Sequence, residues 1–170
     1  MREELHIERA LGAMNPGREL RHLGRLLAGG LEPFRSQTLS SGGLAIKEAD
    51  SALAKTAAGV TCLVAGKLVV KAAADMAALS GTVSNAAFNV FVFTMNAGGT
   101  LATTMGQEGA DLASVRFPVL SPDVAVLGFV IINPTGTGDF VGGTTALDDA
   151  TVVPTASYVN TPFPFNPYIQ

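Results

Sequence analysis

The chain has no tryptophan, one cysteine and two histidines in 170 residues. Each shortage removes a kind of chemistry. A lone Cys62 cannot close an intrachain disulfide, so folding needs no oxidising compartment and is expected to succeed in a bacterial cytoplasm. Both histidines, His6 and His22, lie near the start, so everything downstream lacks the usual general base and the commonest metal ligand. A hydrolase triad of the ordinary kind cannot be assembled there. With Tyr158 and Tyr168 as the only tyrosines, few platforms remain for stacking a sugar, which disfavours a carbohydrate-active enzyme. Long apolar runs are missing too: the longest, from Val124 to Ile132, is interrupted by Gly128 and falls far below spanning length. Met1-Arg2-Glu3-Glu4 opens on charge with no apolar stretch behind it, so neither a signal peptide nor a membrane span is expected.

Charge is also scarce. Charged residues make up 15% of the chain, against roughly 25% in an average soluble domain. Much of the surface must therefore be Ser, Thr, Asn, Gly and small apolar side chains, which suits contact with other proteins. The formal net charge of -3 supplies no broad positive field, so no nucleic-acid partner is expected.

The charge that exists is unevenly spread. Residues 1–35 hold six arginines (2, 9, 18, 21, 25 and 35), whereas the remaining 135 residues hold five of the eleven Lys and Arg. Residues 1–41 read as a helical arm and linker. Leu5, Leu11 and Met14 recur near helical spacing, and Asn15-Pro16 supplies a stop and a new start. A second short helix from about Pro16 to Ala28 carries Leu20, Leu23 and Leu27 on one stripe and Arg18, Arg21 and Arg25 on another, ending at Gly29-Gly30. The arginine stripe lacks interleaved aromatics, so it reads as a protein-docking element or a solvated face, not a phosphate reader.

From about Leu44 the texture changes to short Val, Thr, Phe and Ile runs separated by Gly, Asn, Asp and Pro. Residues 42–160 therefore read as a mainly β domain, an antiparallel β-sandwich or closed β-barrel, with a jelly-roll-like arrangement among the alternatives. Val60 to Val64 and Lys67 to Ala72 form a hairpin through Ala65-Gly66. Phe88 to Met95 is apolar on both alternating faces and belongs at a sheet centre with both faces covered, as does Val124 to Ile132. Asn96-Ala97-Gly98-Gly99 and Asn133-Pro134-Thr135-Gly136 are turns. Residues 161–170 carry too many prolines for an inner strand and read as an extended tail with Phe163, Phe165 and Tyr168 as aromatic anchors.

The remaining candidates for chemistry reduce to structural roles. Cys62 between Thr61 and Leu63 reads as a packed core thiol, since no basic neighbour lowers its pKa. Asp148-Asp149 and the Glu108, Asp111 pair show no ligand-loop spacing and suit turns. Gly136-Thr137-Gly138 and Gly142-Gly143-Thr144-Thr145 have no lysine after the glycines and no helix to open, so they are turns and bulges, not phosphate loops. No catalytic residue, cofactor or metal site is expected.

The order of segments carries a resemblance. Val64-Ala-Gly-Lys-Leu-Val-Val-Lys-Ala-Ala-Ala-Asp75, then Phe88-Asn-Val-Phe-Val-Phe-Thr-Met-Asn-Ala-Gly-Gly-Thr100 and Gly106-Gln-Glu-Gly109, resembles a family of small head proteins of tailed bacteriophages. Ala125-Val-Leu-Gly-Phe-Val-Ile-Ile132 and Asp139-Phe-Val-Gly-Gly-Thr-Thr-Ala-Leu147 continue the likeness, which covers about Gly43 to Tyr158. The resemblance implies a decoration or cement protein on the capsid exterior of a virion, made in the host cytoplasm and reinforcing contacts between major capsid subunits. It also implies self-association, as a homotrimer. Arg18, Leu20, Arg21, Leu23, Arg25, Leu27, Phe163, Phe165 and Tyr168 would then contact the capsid or neighbouring protomers. The alternative is a head or tail adaptor, or fibre-base protein, joining the virion to a host-binding component.

Overall fold

The computed structural model describes residues 35–162, and in them the β texture becomes eleven strands with no helix. In chain order these are β1 (Gln37–Thr38), β2 (Leu44–Ile46), β3 (Ala54–Thr56), β4 (Val60–Val64), β5 (Lys67–Lys71) and β6 (Thr82–Val83). There follow β7 (Asn89–Asn96), β8 (Leu101–Met105), β9 (Val124–Ile132), β10 (Phe140–Val141) and β11 (Ser157–Asn160). Every pairing between strands is antiparallel.

The β4–β5 hairpin is closed by a two-residue loop in which Ala65 and Gly66 both have positive φ, 49° and 79°. That turn matches the twist of the strands it joins, which explains why Val64 faces Lys67 without a bulge. β1 adds to the other side of β4, giving a three-stranded sheet in the order β1-β4-β5. A four-stranded sheet runs β11-β9-β7-β8, and β2–β3 and β10–β6 form two-stranded ladders.

The two longest strands, β7 and β9, lie side by side at the centre of the four-stranded sheet, as their all-apolar sequence requires. Phe91, Phe93 and Met95 enter the main core with Cys62 and Val64 from the three-stranded sheet and with Phe140, whose ring meets Phe91 edge-on at 5.9 Å. Val90 and Val92 face the opposite way, into a smaller cluster capped by Val115, Phe117 and Leu120 from the loop between β8 and β9. Both faces of β7 are thus covered, one by a sheet and one by a loop.

β9 changes phase in its middle. Ala125 and Leu127 point into the main core, but so do Val130 and Ile132, which a strict two-residue period would send outward. A bulge reconciles them: Phe93 pairs with Gly128 while Thr94 pairs with Val126, so Leu127 is the extra residue. Gly128 sits at φ 151°, in space where a Cβ would overlap the Val159 carbonyl oxygen. The glycine that interrupts the apolar run in the sequence is the residue that lets β9 bury two sets of side chains.

Three expectations change. The described residues close no barrel; their strands form several separate antiparallel sheets, and strands of two or three residues such as β2, β6 and β10 are too short to bridge them into one. The boundary at residue 42 is also too late. β1 pairs with β4, Thr38 is 1% exposed, and the compact unit holding the β strands begins at Pro33, so residues 35–41 belong to the body and not to a linker. Thr161, expected as the first residue of the tail, is likewise 1% exposed and anchored to β9. The helical arm and tail residues 163–170 lie outside the described residues.

Candidate functional site

All nine contact residues expected from the sequence lie outside the described residues: Arg18, Leu20, Arg21, Leu23, Arg25 and Leu27 in the arm, and Phe163, Phe165 and Tyr168 in the tail. The surface of the body must therefore be read on its own terms.

Four of its carboxylates serve as turn braces. Glu108 accepts from the Ser84 N–H at 2.8 Å and from the Ser84 hydroxyl at 3.0 Å, and Asp139 accepts from the Asn85 N–H at 2.8 Å, so two acids hold the loop that follows β6. Asp111 accepts from the Ser114 N–H at 2.8 Å, and Asp149 accepts from the hydroxyl and N–H of Thr151 at 2.6 and 2.8 Å. The Ser114 side chain and then its N–H lower the pKa of the Asp111 carboxyl, and the Thr151 hydroxyl and then its N–H lower that of Asp149, by favouring the charged forms. A depressed pKa is the opposite of what a general acid needs near neutral pH. Among the described residues no group of three or more His, Cys, Asp or Glu converges as a metal set, and no helix is long and apolar enough to cross a membrane.

Cys62 sits in β4 with no exposed surface. Burial pushes its thiol up, partly opposed by the Thr38 hydroxyl 3.5 Å from Sγ. A thiol in that setting is a packing group and not a nucleophile. The glycine clusters are also turns: Gly138 and Gly143 have φ of 96° and 75°, and the Val141 carbonyl accepts from Thr144 and Thr145 to close the second of them.

What the body does present is a sheet face with grouped apolar side chains, Gln37 and Thr61 being its polar members. In the β1-β4-β5 sheet, Val60, Cys62 and Val64 point inward and Val69 packs against the same core, so Leu63, Leu68 and Val70 point outward. Leu63 and Leu68 are directly paired across the two strands. Leu68 is 60% exposed and Val70 70%, and Leu39, one residue past buried Thr38, adds a third apolar side chain at 47%. An outward sheet face is ordinarily polar, and grouped apolar residues there mark a contact surface. The sequence locates the hairpin without singling out Leu68 and Val70; the available signal is Lys67-Leu-Val-Val-Lys71, a strand with no polar uncharged residue on either face.

No family model, curated protein or solved structure matches the chain.

Proposed function

We propose that the protein is a virion structural protein, a decoration or cement protein that binds the outer surface of a tailed-bacteriophage head and strengthens contacts between major capsid subunits. Its β body would be a sandwich or jelly-roll-like unit that assembles with copies of itself, as a trimer, and acts without catalysis. The observation that carries this reading is the outer face of the β1-β4-β5 sheet, where Leu39, Leu63, Leu68 and Val70 gather, on a body in which Glu108, Asp111, Asp139 and Asp149 are engaged in bracing turns. A body with grouped apolar side chains on an outward sheet face is suited to adhesion. The ordered likeness of Val64 to Asp75, Phe88 to Thr100 and Asp139 to Leu147 to phage head proteins supports the choice of partner.

The test is to add purified protein to shells assembled from the major capsid protein of the encoding phage. Saturable co-sedimentation and a higher shell disruption temperature are expected. Absence of binding at both low and high salt overturns the reading. Density confined to one vertex, or binding only when a fibre component is present, would favour an adaptor or fibre-base protein instead.

A further inference from the structure

We propose that the free edge of β5 takes up an additional antiparallel strand from another protein, one whose backbone pairs with Leu68 and Val70 and whose acidic side chains meet Lys67 and Lys71. This goes beyond a role on a phage shell, because it concerns one edge of one sheet and the sequence pattern that edge accepts.

Backbone parity leaves one side of β5 open. Val64 and Lys67 flank a two-residue turn, so they form a hydrogen-bonded pair, and the alternation of an antiparallel ladder makes Cys62 with Val69 and Val60 with Lys71 the next such pairs. The N–H and C=O groups of Leu68 and Val70 therefore point away from β4. β5 ends its sheet, and among the described residues nothing bonds to those four groups. A row of open donors and acceptors at strand spacing is what strand addition uses.

The side chains state what kind of strand fits. Residues 35–162 hold six basic and nine acidic residues, a net charge of -3, yet β5 places two lysines four positions apart. Arg35 and Lys47 are neutralised by Asp123 and Asp75 at 3.2 and 2.8 Å, whereas Lys67 and Lys71 have no ion pair among the described residues. Between them stand exposed Leu68 and Val70. Beside them runs an open groove of about 390 Å³ lined by Lys67 to Lys71 and by the turn Ala97-Gly98-Gly99. The pattern basic, apolar, apolar, basic along one edge is complementary to an extended segment reading acid, apolar, any residue, apolar, acid.

Charge also decides against a second copy. Two β5 edges paired antiparallel about Val69 would set Lys67 of each opposite Lys71 of the other, and like charges directly opposite destabilise a ladder. Edge lysines commonly guard strands against self-pairing. Here they disfavour a copy of the same edge in the register that pairs all five residues of β5, while the exposed Leu68 and Val70 remain available to a strand of opposite charge.

The experiment uses the full chain and hydrogen exchange read residue by residue by NMR. The probe is a soluble peptide with the core Glu-Val-Thr-Val-Glu, and its Lys-Val-Thr-Val-Lys counterpart is the control. The acidic peptide should slow exchange of the Leu68 and Val70 amides at least tenfold and leave the Val69 amide, already bonded to β4, unchanged; the basic peptide should do neither. Val70→Pro removes an outward N–H without touching the β4 ladder, and should abolish binding while Cys62 stays unreactive, which certifies the fold. The double change Lys67→Glu with Lys71→Glu should reverse the preference to the basic peptide. Equal protection by both peptides, binding that survives Val70→Pro, or a concentration-dependent dimer joined through β5 would each overturn the proposal. Shell binding measured alongside separates the two readings, since loss of peptide binding with intact shell binding rejects the edge alone.

Discussion

Thr38 and Thr161, 123 positions apart in the chain, donate their hydroxyls to the same oxygen, the carbonyl of Val126, at 2.6 and 2.9 Å. Val126 lies next to the bulged residue Leu127, where the β7–β9 ladder is interrupted, and the two threonines come from just either end of the described body. Neither Thr38→Val nor Thr161→Val leaves that oxygen without a hydroxyl, and each should cost about 1 kcal/mol. The double variant removes both and should lose more than the sum, by a further ~1 kcal/mol or more. Urea unfolding of the four proteins in this cycle checks it, and strict additivity would show that the two hydroxyls act independently.

Gly128→Ala probes the same bulge from the backbone. At φ 151° an L side chain is strained, and the new methyl would overlap the Val159 carbonyl and the Leu44 Cδ1. Strain and overlap together should cost about 3 kcal/mol or more. Because Val159 belongs to β11, hydrogen exchange along β11 should rise before that of β7. Uniform protection across both strands would mean that the bulge tolerates the methyl.

How much of this is legible in the sequence differs element by element. β4, β5, β7 and β9 can be read because each is long enough to show its period and is bounded by turn residues such as Ala65-Gly66 and Asn96 to Gly99. β1, β6 and β10, of two residues each, have no period; Gln37-Thr38 is a strand only because β4 lies beside it, and pairing between distant segments leaves no local mark. The bulge has one visible trace, Gly128 inside an apolar run, but its effect on which residues face the core depends on register. The same limit hides the contact face. Lys67 to Lys71 announces a strand, but that β5 is an edge follows from the sheet order. For the arm stripe and the aromatic tail, the described residues supply no comparison.

The β4–β5 turn yields a prediction with opposite signs at adjacent residues. Ala65 holds φ 49° at a position where Asn is favoured, so Ala65→Asn should stabilise the fold by ~0.5 to 1 kcal/mol. Gly66 at φ 79° has open space where a side-chain methyl would stand, with no atom within 4 Å, so Gly66→Ala should destabilise by ~1 kcal/mol through backbone conformation alone. Thermal unfolding of both variants measures the pair. A neutral Gly66→Ala would imply that the turn relaxes to another type.

Tyr158 sets an alkaline limit. Its hydroxyl is buried without a hydrogen-bond partner among the described residues, and burial, with the Asp148 charge adding to it, pushes its pKa up to about 12 from the ordinary 10. The folded state therefore keeps a proton that the unfolded chain releases. Its contribution to stability is intact below pH 10 and is lost as pH rises from there toward 12. In a Tyr168→Phe background, tyrosinate absorbance should report Tyr158 alone, with a midpoint well above 10 coincident with unfolding. A reversible midpoint near 10 in folded protein would place the hydroxyl in water. Tyr158→Phe should flatten the alkaline loss and leave stability at neutral pH unchanged or slightly raised, because no hydrogen bond is given up.

The start of the β body can be located by two truncations that differ by nine residues. A chain beginning at Pro33 keeps β1 and everything attached to it. Those attachments include the β1–β4 ladder, the Arg35–Asp123 ion pair at 3.2 Å, the Ser36 hydroxyl on the Pro122 carbonyl at 2.7 Å, and the Thr38 hydroxyl on Val126. A chain beginning at Gly42 loses all of them and strips the cover from the Thr38 side of Cys62. The exposed ion pair contributes little, but two hydroxyl bonds and a buried threonine should together be worth several kcal/mol, at ~1 kcal/mol or more for each bond and the remainder from lost packing. Because Cys62 is the only thiol, its rate of modification under native conditions reads the difference without any label. The Pro33 form should protect it as the full chain does, and the Gly42 form should react at least tenfold faster. Equal protection in both would return residues 35–41 to the role of a linker.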